Sequence, residues 1–201
     1  MPQDKINLLC PSAQIKAFST LFQEGVFMDI PGNISLGDLL VRQWGLEPEF
    51  MQERIQTIFL DGHPVDKPDE IIPESGSVLA LSAAMPGLVG ATMRKSGTLA
   101  SLRDSITYRV QDTAKQPTEK RICLRLFNFL LKELAPHFLK LGVLVKTKSF
   151  QGLIQQQPQS FWSNCQLVAK NKQLNLTELK LDEILPAEQF FLLKINAETH
   201  S

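Results

Sequence analysis

Hydrophobic and polar positions alternate in short runs along most of this chain. Ile6, Leu8 and Cys10 alternate with Asn7 and Leu9, a period of two that predicts a strand. Val26, Met28 and Ile30 alternate with Phe27 and Asp29, which predicts a second. Between them, Ile15, Phe18, Leu21 and Phe22 stand at helix-like spacing. That segment reads as a long hairpin connection, or one carrying a short helix. Ser35 is a good N-cap, because its hydroxyl can accept an otherwise unpaired backbone N–H. Leu36, Leu39, Leu40 and Trp44 then fall on one helical face, and Gly45 can take the left-handed conformation that ends the helix. A polar stretch after Glu47-Pro48-Glu49 leads to Ile55-Gln56-Thr57-Ile58-Phe59-Leu60, a third strand. Asp61-Gly62 signals a tight turn. Val65 restarts a short segment, and Ser77-Val78-Leu79-Ala80-Leu81 reads as a last strand.

The same order returns further along the chain. Lys5-Ile6-Asn7-Leu8 corresponds to Arg121-Ile122-Cys123-Leu124, and Gly25-Val26-Phe27-Met28 to Gly142-Val143-Leu144-Val145. Ser35-Leu36-Gly37-Asp38-Leu39-Leu40 corresponds to Ser149-Phe150-Gln151-Gly152-Leu153-Ile154. Two later matches start at Phe59 with Val168, and at Asp69 with Asp182. The offset stays between 109 and 117 residues, too long for a solenoid, so each copy would be a whole domain. The second copy then has strands at Ile122–Phe127, Val143–Lys146, Gln166–Ala169 and Phe190–Ile195. Its helix starts at Ser149 and is cut short by Gln155-Gln156-Gln157-Pro158. Phe161 and Trp162 are placed to cover the sheet end. In the intervening stretch, Leu99, Leu102, Ile106 and Val110 lie on one helical face. The expected organisation is therefore 1–90, a linker at 91–118 that can be helical, and 119–201. The expected fold class is α+β: two tandem β-grasp (ubiquitin-like) domains, each a small mixed sheet packed by one helix.

Residues 5–90 carry a resemblance to a known family. Ser35-Leu36-Gly37-Asp38-Leu39-Leu40 resembles the start of the central helix in the small sulfur carriers of the MoaD/ThiS family. Phe59-Leu60-Asp61-Gly62-His63-Pro64-Val65 resembles their strand-and-turn motif. The run from Ile72-Pro73-Glu74-Ser75-Gly76 into Ser77–Leu81 is similar to the turn before their last strand. In the second copy, Arg125–Leu134 resembles their first strand and the turn after it. Such carriers are ubiquitin-like and bacterial-type. They end in Gly-Gly, whose carboxylate is adenylated and converted to a thiocarboxylate. The resemblance places Met85, Pro86, Gly87, Leu88, Val89 and Gly90 at the equivalent tail. Gly87 falls near the penultimate glycine, but Leu88 stands where the last should be, and the second copy ends without glycine.

Charge refines this picture. The chain is neutral overall, but residues 1–96 carry 7 Lys+Arg against 12 Asp+Glu, and residues 97–201 carry 14 against 9. That split suits docking between an acidic and a basic half, or a homodimer. It does not point to nucleic acid, because the basic residues are not densely clustered. No apolar run approaches the roughly 20 residues that span a bilayer, and Met1–Lys5 lacks the features of a signal peptide. A cytoplasmic location is expected. Cys10, Cys123 and Cys165 are widely spaced and read as reduced, buried thiols. His63, His137 and His200 share no metal-ligand spacing, and no phosphate loop or dinucleotide fingerprint is present. No catalytic residue, metal or cofactor is therefore expected, and the chain reads as no enzyme.

Two functions remain. One is a protein-binding scaffold of tandem ubiquitin-like domains, whose partner-binding segment is Met85–Gly90 with Arg94 and Lys95. The other is a precursor cut after Gly87 or Gly90 to give a sulfur carrier or modifier. An RNA-associated module built on the basic half is the weakest reading.

Overall fold

The computed structural model describes residues 5–83, 118–169, 172–175 and 189–198. The protein is α+β, with mixed strands and several helices. It divides into two compact units. One comprises Met1–Val26 and Leu131–Ser201, the other Phe27–Leu130.

The Phe27–Leu130 unit holds five described strands in the order β4-β3-β5-β6-β2. β2 (Val26–Pro31) starts at its boundary, and β3 (Thr57–Leu60) forms a hairpin with the two-residue β4 (His63–Pro64). β5 (Val78–Ser82) lies antiparallel to β3 and parallel to β6 (Glu119–Phe127). The hairpin turn is Asp61-Gly62, with φ of 52° and 82°. Two successive positive φ angles match the right-handed twist of the flanking strands. The Asp61 carboxylate secures the turn by accepting from Ser77 Oγ at 2.9 Å and from the Val78 backbone N–H at 2.7 Å.

The helical segment after β2 starts where its cap predicts. Ser35 is extended (φ −69°, ψ 156°), and its hydroxyl accepts from the Asp38 backbone N–H at 3.1 Å. The segment then widens into a π-turn over Leu39–Gln43, with Trp44 N–H donating to Leu39 O at 2.9 Å. Leu36, Leu39, Leu40 and Trp44 are all buried. So are Ile58, Leu60, Leu79, Leu81, Ile122, Leu124 and Leu126, the inward residues of β3, β5 and β6. The polar stretch after Glu47 is helical over Pro48–Glu53. Pro48 sits at the first turn, where its missing N–H costs nothing.

The other unit holds five described strands in the order β7-β10-β1-β8-β9. They are β1 (Lys5–Cys10), β7 (Val143–Lys146), β8 (Gln166–Ala169), β9 (Lys172–Asn175) and β10 (Phe190–Ala197). β1 runs parallel to β10, with Lys5 opposite Leu192 and Cys10 opposite Ala197. On its other side β1 is antiparallel to β8. The sequence reading of residues 12–24 as a hairpin connection is corrected on its partner strands: β1 has β10 and β8 as neighbours, and the connection to β2 is helical.

That connection has a counterpart after β6. Helical segments fill 12–24 before β2, and a helix spans Leu130–Leu141 before β7. Each ends on a glycine, Gly25 with φ 107° and Gly142 with φ 104°. Side chains other than glycine rarely adopt this backbone. Leu130, Leu134, Ala135, Phe138 and Leu139 form the buried stripe of the second helix, and Phe22 packs on Phe138 at 6.2 Å between ring centroids. The helix Thr147–Gln156 ends at Gln157, before Pro158, as the proline requires. Phe161 and Trp162 follow in a short helix, and both pack on Phe18, at 6.1 and 6.0 Å.

Candidate functional site

Met85, Pro86, Gly87, Leu88, Val89, Gly90, Arg94 and Lys95 lie outside the described residues, as does the linker 91–118. The structure does define where the chain enters that segment. β5 delivers it through Ser82 and Ala83, at one end of the Phe27–Leu130 sheet.

Strand register builds this end of the sheet. Thr57, Ser82 and Phe127 stand in one row across β3, β5 and β6, and Phe59, Ala80 and Arg125 stand in the next. Residues two apart on a strand share a face, and so do cross-strand partners. All six therefore belong to the face opposite the inward residues Ile58, Leu81 and Leu126. Within these rows burial is uneven. Thr57 and Ser82 are buried, Phe59 and Ala80 are half-buried, and Arg125 is exposed. Phe127 is 39% exposed, and Phe129, just past the strand, is 69% exposed.

The two rings are held on a fixed support. Asn128 between them has φ 56°, a left-handed conformation that asparagine tolerates better than most residues. Its side-chain amide donates to Ser82 Oγ at 3.1 Å, and the Ser82 hydroxyl donates to the Ala83 carbonyl at 3.0 Å. The same serine thus ties the exit of β5 to the turn that presents the phenylalanines. Farther along β6, Arg121 grips Asp29 of β2 with two nitrogens, at 2.6 and 3.0 Å. The bond to Asp29 raises the Arg121 pKa against the effect of its burial. On the inward face of β6, Lys120 is 3% exposed and donates to the Pro73 carbonyl at 2.7 Å.

Comparison with family models, with curated proteins and with solved structures finds no match.

What the geometry can do follows from its chemistry. Among the described residues, no three His, Cys, Asp or Glu side chains converge as metal ligands. The other unit has a groove of about 270 Å³ whose lining includes Thr20, Glu24, Lys148, Ser149 and Gln156 with Leu21 and Leu153. It combines hydroxyls, one acid and one base, without a histidine or cysteine on its walls. The end of β5 and β6 offers apolar rings beside Arg125, which suits recognition of another surface. Sequence reasoning missed this pair of rings. Phe127 and Phe129 flank Asn128, and their closeness to Leu130 and Leu131 hides which of these apolar residues face solvent.

Proposed function

We propose that the chain is a non-catalytic protein-binding scaffold built from ubiquitin-like (β-grasp) folds. Its partner docks on the β5–β6 end of the Phe27–Leu130 unit. The observation that carries this reading is the exposure of Phe127 and Phe129 on a hydrogen-bonded turn beside the exit of β5. Large exposed rings on a rigid support lose little conformational freedom on binding, which favours them as anchors.

The β-grasp reading draws support from strand order. A parallel central pair, β5 with β6, is flanked by β3 and β2, and a helical segment lies between β2 and β3. The same order bears on the carrier alternative. A product ending at Gly87 or Gly90 would lack β6, the strand between β5 and β2. That counts against release of a folded carrier by cleavage there.

The test joins two measurements on protein from its native cell. The intact mass is expected at 22.6 kDa or more, and in-cell crosslinking is expected to capture a defined partner. The double substitution Phe127→Ser with Phe129→Ser should leave folding intact and abolish that crosslink. A mass ending at Gly87 or Gly90, above all with sulfur in place of oxygen, would make the protein a processed carrier. An unchanged crosslink in the double variant would move the docking surface elsewhere.

A further inference from the structure

We propose that Cys10 and Cys165 are a redox pair whose reversible disulfide fastens the N-terminal strand β1 to β8. Strand register places them. β1 and β8 are antiparallel, with Leu8 opposite Leu167 and Leu9 opposite Gln166. Continued by one residue, that register sets Cys10, the last residue of β1, against Cys165, the residue just before β8. Directly opposed residues of an antiparallel pair have Cα atoms about 4.5–5.5 Å apart, inside the window of roughly 4.4–6.8 Å that a disulfide spans. The Cys165 side chain acts on the Cys10 thiol more strongly than any other group. Cys165 Sγ also donates to Gln14 Oε1 at 3.0 Å, and the Cys10 carbonyl accepts from the Glu198 N–H at 3.0 Å. The partners of both cysteines therefore hold them in this arrangement. Cys123 lies on β6, opposite Val78.

The bond forms by exchange with a small disulfide such as oxidised glutathione. A thiolate of the pair attacks one sulfur of the oxidant and expels the first glutathione thiolate. The second cysteine loses its proton and attacks the resulting mixed disulfide, expelling the other. Two electrons pass from the cysteine pair to the oxidant, and the two protons end on two glutathione thiols. The position of the pair favours the second step over release to solvent, because the attacking sulfur is already beside its target.

Burial sets the speed. Both cysteines have 0% exposure. The Cys10 thiol is pushed far up, first by its hydrogen bond to Cys165, then by burial, then by the negative charges that Cys165 and Glu198 would present. Thiolate is scarce while β1 is seated, so oxidation waits on local opening of this strand end. Once formed, the bond joins residue 10 to residue 165, and β1 can no longer leave its place between β10 and β8.

The experiment treats the full chain with oxidised glutathione, with and without sub-denaturing urea. Remaining thiols are then alkylated in denaturant and the peptides mapped. The expected product lacks two hydrogens, carries a Cys10–Cys165 crosslinked peptide and has Cys123 alkylated. Dithiothreitol should reverse it. Oxidation should raise the Tm of the wild type and of Cys123→Ser, but not of Cys10→Ser or Cys165→Ser. Two alkylated thiols at positions 10 and 165 in both arms would overturn the proposal, as would stable glutathione adducts or a crosslink through Cys123.

Discussion

Lys120 places an ammonium group on the inward face of β6, among side chains that are otherwise apolar. Its bond to the Pro73 carbonyl satisfies one of three protons. Burial lowers its pKa below the ordinary lysine value of 10.5, and the Glu74 carboxylate partly opposes that effect. The sign of the pH dependence follows. In the window between the lowered folded value and 10.5, the unfolded chain holds a proton that the folded protein has released. Stability contributed at this site therefore rises with pH across that window. Substitution by methionine removes the titration and keeps most of the side-chain volume. Urea unfolding of wild type and Lys120→Met from pH 7 to 10 should show the difference moving in favour of the wild type as pH rises. A constant difference would mean that the ammonium keeps its hydration in the folded state. Period-two alternation assigns Lys120 inward, but its charge argues for the surface, and only the nearby Pro73 carbonyl resolves the conflict.

At the scale of elements, local chemistry was legible where one residue decides the backbone. Ser35 is the clearest case, because its side chain takes a role the helix cannot supply for itself. Replacing it by alanine leaves the Asp38 N–H without that partner. Ser35→Ala is expected to lower stability by about 1 kcal/mol, read as a shift in urea midpoint at constant slope. Asp61-Gly62, Gly45 and the Pro158 stop were readable for the same reason. Two features resisted. The π-turn at Leu39–Gln43 adds a residue to a helical turn, and nothing in its leucines and valine announces one. The helix Leu130–Leu141 was hidden because β6 runs almost directly into it. Leu126, Phe127, Phe129, Leu130 and Leu131 crowd the junction with only Asn128 between them, and Pro136 inside the helix reads as a breaker. The buried spacing at 130, 134, 135, 138 and 139 was nevertheless present. The eight-residue β10 and the four-residue β7 were read nearly to their ends because alternation and Gly142 bound them. The proposed docking rings were not, since exposure depends on packing that a short apolar run does not encode.

Which sheet a strand enters is a property of the whole molecule, and alternation alone cannot fix it. β1 and β6 carry similar inward patterns, Ile6 and Leu8 against Ile122 and Leu124, so either satisfies the packing of a parallel central pair. The structure seats β1 with residues from 131 onward and β6 with residues from 27 onward. Each unit therefore needs chain from both sides of the stretch 84–117. Fragments 1–90 and 91–201 would each carry a strand that belongs in the other's sheet. Residues 1–90 alone would leave the place between β5 and β2 without β6, and 91–201 alone would leave the place between β10 and β8 without β1. A vacated central position exposes two rows of unpaired backbone groups and the apolar core beneath them. Co-expressed, the fragments are expected to copurify as a one-to-one complex with the circular dichroism and cooperative melting of the intact chain. Expressed separately, each should be poorly folded or self-associated. A monomeric, cooperatively melting 1–90 would show that β1 can take the place of β6 at little cost. The carrier alternative would then regain the folded product it needs.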